Sequence, residues 1–357
     1  MKKALSVGLG DRTYLIHIGS GSWDLIGEHL KASPPTGVIV VTDDRVEGLY
    51  WEKVSQQLST AGVSFFHHVV PQGEHVKAFR WVEELCKEMA VSGMDRGGLV
   101  MALGGGVVGD LAGFAASIYL RGIRFVQLPT TLLAMVDSSV GGKTGINIQE
   151  GKNLVGTFYQ PEAVFADTSC LVTLDERDWY SGLAEAIKIA IGLNAELFTY
   201  LETVDDLSMV GDLDVVRVVA AACESKARVV ELDEREGGLR RVLNFGHTLA
   251  HAIEASLGYG TLRHGEAVLL GMKAALNLSV QLCGLSPEEH HRAATLIDRI
   301  PVPRVTIPPE AASFLLRDKK SMGELVNAVL ISEIGQHRIV PLEDPGVLVE
   351  ALTSRNL

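Results

Sequence analysis

Leu99-Val100-Met101-Ala102-Leu103 runs straight into Gly104-Gly105-Gly106-Val107-Val108-Gly109-Asp110, and the reading of this join decides the fold. The apolar run reads as a strand buried on both faces. The glycines satisfy G-x-G-x-x-G between that strand and a helix, where a bare backbone lets a pyrophosphate approach and the helix N-terminus favours negative charge. Upstream the alternation repeats: Thr13 to Ile18 reads as a strand before a helix through Leu30, Val38 to Thr42 as a strand before a helix over 46–61, and Phe65 to Val70 as a strand before a helix over 76–92. Strand and helix in alternation predict a parallel sheet. The usual fingerprint continues with an acidic residue at the next strand end to hold a ribose, but that region reads Arg121-Gly122-Ile123-Arg124. The competing reading is a glycine-rich turn that only packs a helix close to the sheet; if a dinucleotide binds here, its ribose must be held from other strand ends, where Asp43, Glu74 and Lys77 are the candidates.

Downstream, Pro129-Thr130-Thr131 leads into an apolar helix carrying Asp137, then Gly141-Gly142-Lys143. An aspartate among Leu, Met and Val needs a partner, and Lys143 is the nearest cation in sequence. Lys152-Asn153 adds an ammonium and an amide in a segment that reads as a loop through Phe158. From about Thr173 the β alternation fades. Helices are expected over 178–201, 215–232, 248–257, 265–282 and 287–299, a short extended segment over 302–307, a segment over 314–322, a strand over 328–332, and a final helix. The expected fold is an α/β N-terminal nucleotide-binding domain with a parallel sheet over 1–172, followed by a mainly α-helical metal-binding domain over 173–357.

In that helical half, His247, His251 and Glu254 recur at helical spacing, and His264 follows a Gly-Tyr-Gly turn that can bring the chain back. A catalytic zinc is commonly held by two histidines and a carboxylate with one position open. Glu185, a carboxylate in an apolar helical run, is the best third donor. The competing reading makes His247 and His264 helix-end residues bonded to backbone carbonyls.

Composition narrows the classes. A chain of 357 residues, 47% hydrophobic, suggests two soluble domains. The net charge of -12 argues against nucleic acid or an anionic membrane as partner, so an anionic substrate needs a local basic pocket. Cys86, Cys170, Cys223 and Cys283 are scattered without a C-x-x-C pair, which fits reduced core thiols in a cytoplasmic protein. Asp11 and Arg12 interrupt any signal-peptide core, and no stretch reads as apolar for long enough to span a membrane.

Taken together, GGGVVGDLAGF at 104–114, LPTTLLAMVDSSVGGKTGIN at 128–147, KNLVGTFYQP at 152–161, GLAEAIK at 182–188, LNFGHTLAHAIE at 243–254 and HGEAV at 264–268 closely resemble the 3-dehydroquinate synthase family. The resemblance implies a cyclase of the shikimate pathway that converts 3-deoxy-D-arabino-heptulosonate 7-phosphate to 3-dehydroquinate and phosphate with NAD+ and zinc, cobalt being an alternative. Carried over by motif, Glu185, His247 and His264 match metal ligands. Asp43, Glu74, Lys77, Gly105, Gly106, Val107, Asp110, Thr130, Thr131 and Lys152 match the nucleotide set. Asp137, Lys143, Asn153, Lys188, Lys226, Arg240, Asn244, His251 and one of Lys319 or Lys320 match the substrate pocket, and Arg121 would reach the pocket of the other subunit in a homodimer. Gln72, before Gly73-Glu74, is a mild departure from the family's pattern. Lys143, Lys152, Lys188, Lys226 and Arg240 supply the fixed cations that a phosphorylated sugar acid requires. Two enzyme alternatives remain, a sugar phosphate cyclase acting on a substrate without the carboxylate and a metal-dependent polyol dehydrogenase that releases NADH. A non-catalytic nucleotide-binding scaffold would lack the complete metal and lysine set.

Overall fold

The computed structural model describes residues 2–209, 211–258, 260–308, 310–315 and 325–353. They divide into two compact units, Met1–Leu174 with Val215–Glu231, and Asp175–Asp214 with Leu232–Leu357. The helix over 215–231, which the sequence reading places with the second half, thus packs with the first unit.

The first unit is built on a seven-stranded sheet. Its elements are β1 (Lys3–Val7), β2 (Tyr14–Ile18), α1 (Ile26–Ala32), β3 (Val38–Asp43), α2 (Asp44–Ala61), β4 (Phe65–Val70), α3 (Phe79–Val91), β5 (Leu99–Gly104), α4 (Gly106–Ile118), β6 (Arg124–Pro129), β7 (Lys143–Ile148), β8 (Gly151–Phe158) and β9 (Ala163–Ala166). The sheet order is β1-β2-β9-β6-β5-β3-β4, parallel throughout except for β1 on β2. Every residue of β3 and of β5 is buried, as expected of central parallel strands covered on both faces. Ile39, Val41, Val100 and Ala102 pack in one core with Leu111 and Ala115 of α4 and Leu85 and Met89 of α3.

Two segments depart from expectation. The stretch read as a loop through Phe158 is β8, paired antiparallel with β7 as a separate hairpin. The helix expected around Asp137 is a single π-helical turn, Ala134–Ser138.

The second unit carries α5 (Glu176–Leu193) and α6 (Ala195–Thr203), and after α7 (Val215–Leu232) it continues with α8 (His247–Leu257), α9 (His264–Cys283), α10 (Pro287–Asp298), the hairpin β10 (Val326–Glu333) with β11 (Gln336–Leu342), and α11 (Val347–Thr353). The one long helix expected over 178–201 is two, with Asn194 between them capping α6 through its side chain on Leu197 N at 2.9 Å. No strand forms over 302–307. By length and composition α9, with 20 residues, is apolar enough to cross a membrane, contrary to expectation; most of it is buried within the protein, as in the core helix of a soluble domain.

Candidate active site

The nucleotide candidates lie in the first unit, and the topology marks their position. From β3 the sheet grows one way to β4, and from β5 the other way to β6, so the order reverses between β3 and β5. Open α/β sheets bind ligands at the C-terminal ends of strands at such a switch point. Asp43 ends β3 and Gly104 ends β5. The Asp43 carboxylate caps α2, accepting the N–H groups of Arg45 at 3.1 Å and Val46 at 2.9 Å. Burial raises its pKa against the pull of those two donors.

Gly106 opens α4, whose first N–H groups have no partner within the helix. A Cβ on Gly105 would lie 3.1 Å from Thr131 Cγ2, and one on Gly106 would lie 2.9 Å from Ser138 Oγ, so the two glycines let those hydroxyl side chains close on the helix entrance. The buried hydroxyls of Thr130 and Ser138 find no hydrogen-bond partner among the described residues. A bare helix N-terminus beside two unsatisfied hydroxyls fits a phosphate.

Lys77 lies behind this entrance, 4% exposed. Its ammonium donates to Asp110 Oδ2 at 2.7 Å and to Asn153 Oδ1, and stands 3.7 Å from Glu74 Oε1. Burial raises the Asp110 pKa, with Lys77 opposing. Half-buried Lys152 and exposed Asn153 lie at the start of β8, and exposed Lys143 lies at the start of β7. The ion-pair partner of Asp137 is not the expected Lys143 but Lys226 of α7, whose Nζ is 2.6 Å from Asp137 Oδ1 and 2.6 Å from its carbonyl oxygen. That pairing spans 89 positions, out of reach of any local reading. Arg121 is exposed at the corner after α4, where Leu120 and Arg121 both take left-handed backbone, φ 47° and 66°.

The metal candidates lie in the second unit, one on each of three helices. Glu185 is in α5, while His247 and His264 are the first residues of α8 and α9. Glycines bring these helices together. A Cβ on Gly271 of α9 would fall 1.9 Å from the Gly246 carbonyl oxygen beside α8, and one on Gly265 would fall 2.2 Å from the Ser181 carbonyl oxygen of α5. Only hydrogen at these two positions permits the approach. The donor atoms of Glu185, His247 and His264 all lie within 4.8 Å of one another, with both histidine Nε2 atoms 3.7 Å from Glu185 Oε1. Ligand atoms bonded to zinc at about 2.1 Å in a tetrahedron stand about 3.4 Å apart, close to these spacings.

The chemistry of the set also fits a cation. Glu185 is 1% exposed and neither of its oxygens accepts a well-formed hydrogen bond, although Lys188, one turn on and 3% exposed, is ion-paired to it. Each histidine has its other ring nitrogen engaged, His264 Nδ1 with Glu254 Oε2 at 3.4 Å and His247 Nδ1 with the Phe245 carbonyl at 3.3 Å. Metal-bound histidines are held in this way by a carboxylate or carbonyl that fixes tautomer and ring orientation. The backbone-carbonyl contact of the competing reading therefore exists at His247 and leaves Nε2 facing Glu185. His251 stands beside both, its ring centroid 5.5 Å from that of His247 and 6.2 Å from that of His264. Arg240 is 1% exposed, donating to the Glu234 carbonyl at 2.5 Å, and Asn244 closes the same short 3-10 segment. Lys319 and Lys320 lie outside the described residues.

Four residues escaped the sequence reading as parts of these sites. Ser138 and Asn147 carry no local signature. Glu254 was read on the helix face, but its service to His264 needs the packing of α8 on α9. Glu266, 2% exposed, takes the Arg263 N–H at 2.7 Å and both arms of Arg177 at 2.8 and 2.7 Å, which fixes the entry of α9 where His264 sits.

Comparison with known proteins adds to this geometry. Residues 67–181 match the family described as 3-dehydroquinate synthase N-terminal, and residues 182–321 match its C-terminal counterpart. The chain is 45% identical over 354 residues to a 3-dehydroquinate synthase of Geobacter metallireducens, covering 98% of each. It is 40% identical over 350 residues to that of Synechocystis sp., covering 94% of this chain and 95% of the other. Among solved structures, a 2-deoxy-scyllo-inosose synthase with carbaglucose-6-phosphate, NAD+ and Co2+ superposes with a TM-score of 0.89 at 23% identity over 98% of this chain and 99% of the other. A 2-epi-5-epi-valiolone synthase from Streptomyces hygroscopicus with NAD+ and Zn2+ bound gives 0.83 at 28% identity over 97% of both.

Proposed function

The chain belongs to the 3-dehydroquinate synthase family, and from that membership we propose how its own residues turn 3-deoxy-D-arabino-heptulosonate 7-phosphate into 3-dehydroquinate and phosphate. The observation that carries the reading is the buried Glu185, without well-formed hydrogen bonds, facing two histidines whose far nitrogens are already engaged. Glu185, His247 and His264 hold a divalent ion, zinc or cobalt. Asp43, Glu74, Lys77, Asp110, Thr130, Thr131, Lys152 and the Gly105-Gly106-Val107 entrance of α4 hold NAD+. Bound there, the ion would supply a Lewis acid for vicinal hydroxyls of the sugar and NAD+ a reversible hydride acceptor, so that no cofactor would be consumed.

The chain's residues bind and orient. In the first unit Lys143, Asn153 and Lys226, and in the second Lys188, Arg240, Asn244, His251 and one of Lys319 or Lys320, are the residues we assign to the phosphate and carboxylate of the substrate, the cations among them being what an anionic substrate needs in a chain of net charge -12. Asp137 takes the Lys226 ammonium on its Oδ1 and its carbonyl oxygen and holds it in place. Arg240, fully buried and anchored on the Glu234 carbonyl, presents a planar fork suited to a carboxylate or phosphate. The enzyme works in the cytoplasm as a homodimer in which Arg121 reaches the other subunit's pocket.

The test is release of inorganic phosphate from the heptulosonate phosphate with substoichiometric NAD+. Phosphate should accumulate over many turnovers while reduced-nicotinamide absorbance stays flat. Sustained NADH formation on a simple polyol, without phosphate, would overturn the reading in favour of a dehydrogenase.

A further inference from the structure

Asn147, in β7, makes three hydrogen bonds, each to a different candidate residue. Its side-chain Nδ2 donates to Glu74 Oε1 at 2.8 Å, its Oδ1 accepts the Asn153 N–H at 2.8 Å, and its own N–H donates to the Lys77 carbonyl at 2.8 Å. The amide orientation is forced, because an ionised carboxylate only accepts and a backbone N–H only donates. Asn153 is held at φ 55°, in the left-handed region that non-glycine residues rarely occupy, and in that pose its side-chain oxygen meets Lys77 Nζ. Lys77 in turn stands 3.7 Å from Glu74. Glu74, Asn147, Asn153 and Lys77 thus form a closed ring of polar contacts, and Asn147 is the member assigned to neither nucleotide nor substrate.

We propose that Asn147 is a positioning residue that couples the two sets, holding Glu74 for the nucleotide and the strained backbone of Asn153 for the substrate. The proposal rests on the function given above. Whatever shifts Glu74 on nucleotide binding is passed through one rigid amide to Asn153.

Two variants separate the arms. Asn147→Asp keeps an acceptor for the Asn153 N–H but loses the donor to Glu74 and sets a carboxylate against it, whereas Asn147→Ala loses both contacts. NAD+ affinity is read by calorimetry without substrate, KM for the heptulosonate phosphate at saturating NAD+, and folding by thermal midpoint. The expected result is NAD+ binding weakened roughly tenfold in both variants, with KM raised roughly tenfold in Asn147→Ala and within about twofold of wild type in Asn147→Asp. In a double-mutant cycle with Glu74→Gln, the losses of NAD+ affinity should fall short of additive. Unchanged NAD+ affinity in both variants, or a lower thermal midpoint with normal binding by the folded protein, overturns the proposal. If the wild type binds NAD+ but releases no phosphate, the function reading fails while the calorimetric cycle still decides whether Asn147 positions Glu74.

Discussion

Glu254 touches no substrate in the proposed reaction, yet it decides how well His264 can serve. Its carboxylate takes the His264 Nδ1 and leaves Nε2 turned toward Glu185. Removing such a support typically costs about 10–100-fold in metal affinity, so Glu254→Ala should bind zinc that much more weakly in chelator competition, with Glu254→Gln closer to wild type. His264→Ala should lose bound zinc and nearly all phosphate release; metal analysis showing zinc retained at full stoichiometry would refute its place in the set. The cysteines make a separate residue-scale prediction. Burial pushes the Cys223 thiol up to about 12 and the Cys170 thiol higher still, while Cys86 and Cys283 are only partly buried. In the native protein at neutral pH a thiol reagent should therefore reach at most Cys86 and Cys283, and all four only after unfolding. At this scale the sequence shows donor types and helical spacing, which is why the metal candidates could be named. It could not show that Asp137 pairs with Lys226, because nothing local links residues 89 positions apart.

Asp43 at the head of α2 has two assignments that a pair of substitutions separates. Asparagine caps a helix about as well as aspartate, whereas alanine costs roughly 0.5–2 kcal/mol. Asp43→Asn should keep the thermal midpoint and lose NAD+ affinity, while Asp43→Ala should lose both; calorimetry beside thermal melts distinguishes them. Gly271→Ala tests how the helices meet. Its new methyl would strike the Gly246 backbone at 1.9 Å, which no rotamer can relieve. Overpacking of this kind usually costs about 1–3 kcal/mol, and here it should also lower zinc affinity by parting α9 from α8, as read by melting and chelator competition. Among the elements that matched closely are β3 and β5, apolar runs buried along their whole length, β4, bounded by a clear turn signal although only partly buried, and the amphipathic α7 and α10, whereas β9, buried but only four residues long, went unread. β1, β8 and β11 were not legible, since each lies in a small or edge pairing with much of its length exposed and no apolar run to mark it.

For the whole molecule, the proposed homodimer makes the sharpest claim, because Arg121 would complete a site it does not belong to. Arg121 stands at a corner where it and Leu120 both take left-handed backbone. Mixing Arg121→Ala with His247→Ala, each inactive alone, should restore part of the phosphate release if the arginine acts in trans; subunit exchange seen by native mass spectrometry without recovery would rule it out. The division between a sheet-based first unit and a helical second one was readable from the change in pattern, whereas the packing of α7 with the first unit was not, because its amphipathic stripe says that it is buried but not against what. The distribution of Glu185, His247 and His264 over three helices joined by glycine contacts has a kinetic corollary. No single helix and no pair carries all three donors, so the proposed cation site is complete only once α5, α8 and α9 have docked. During refolding from denaturant, uptake of zinc should trail the recovery of helical circular dichroism, and the lag between the two signals would time the docking of these helices.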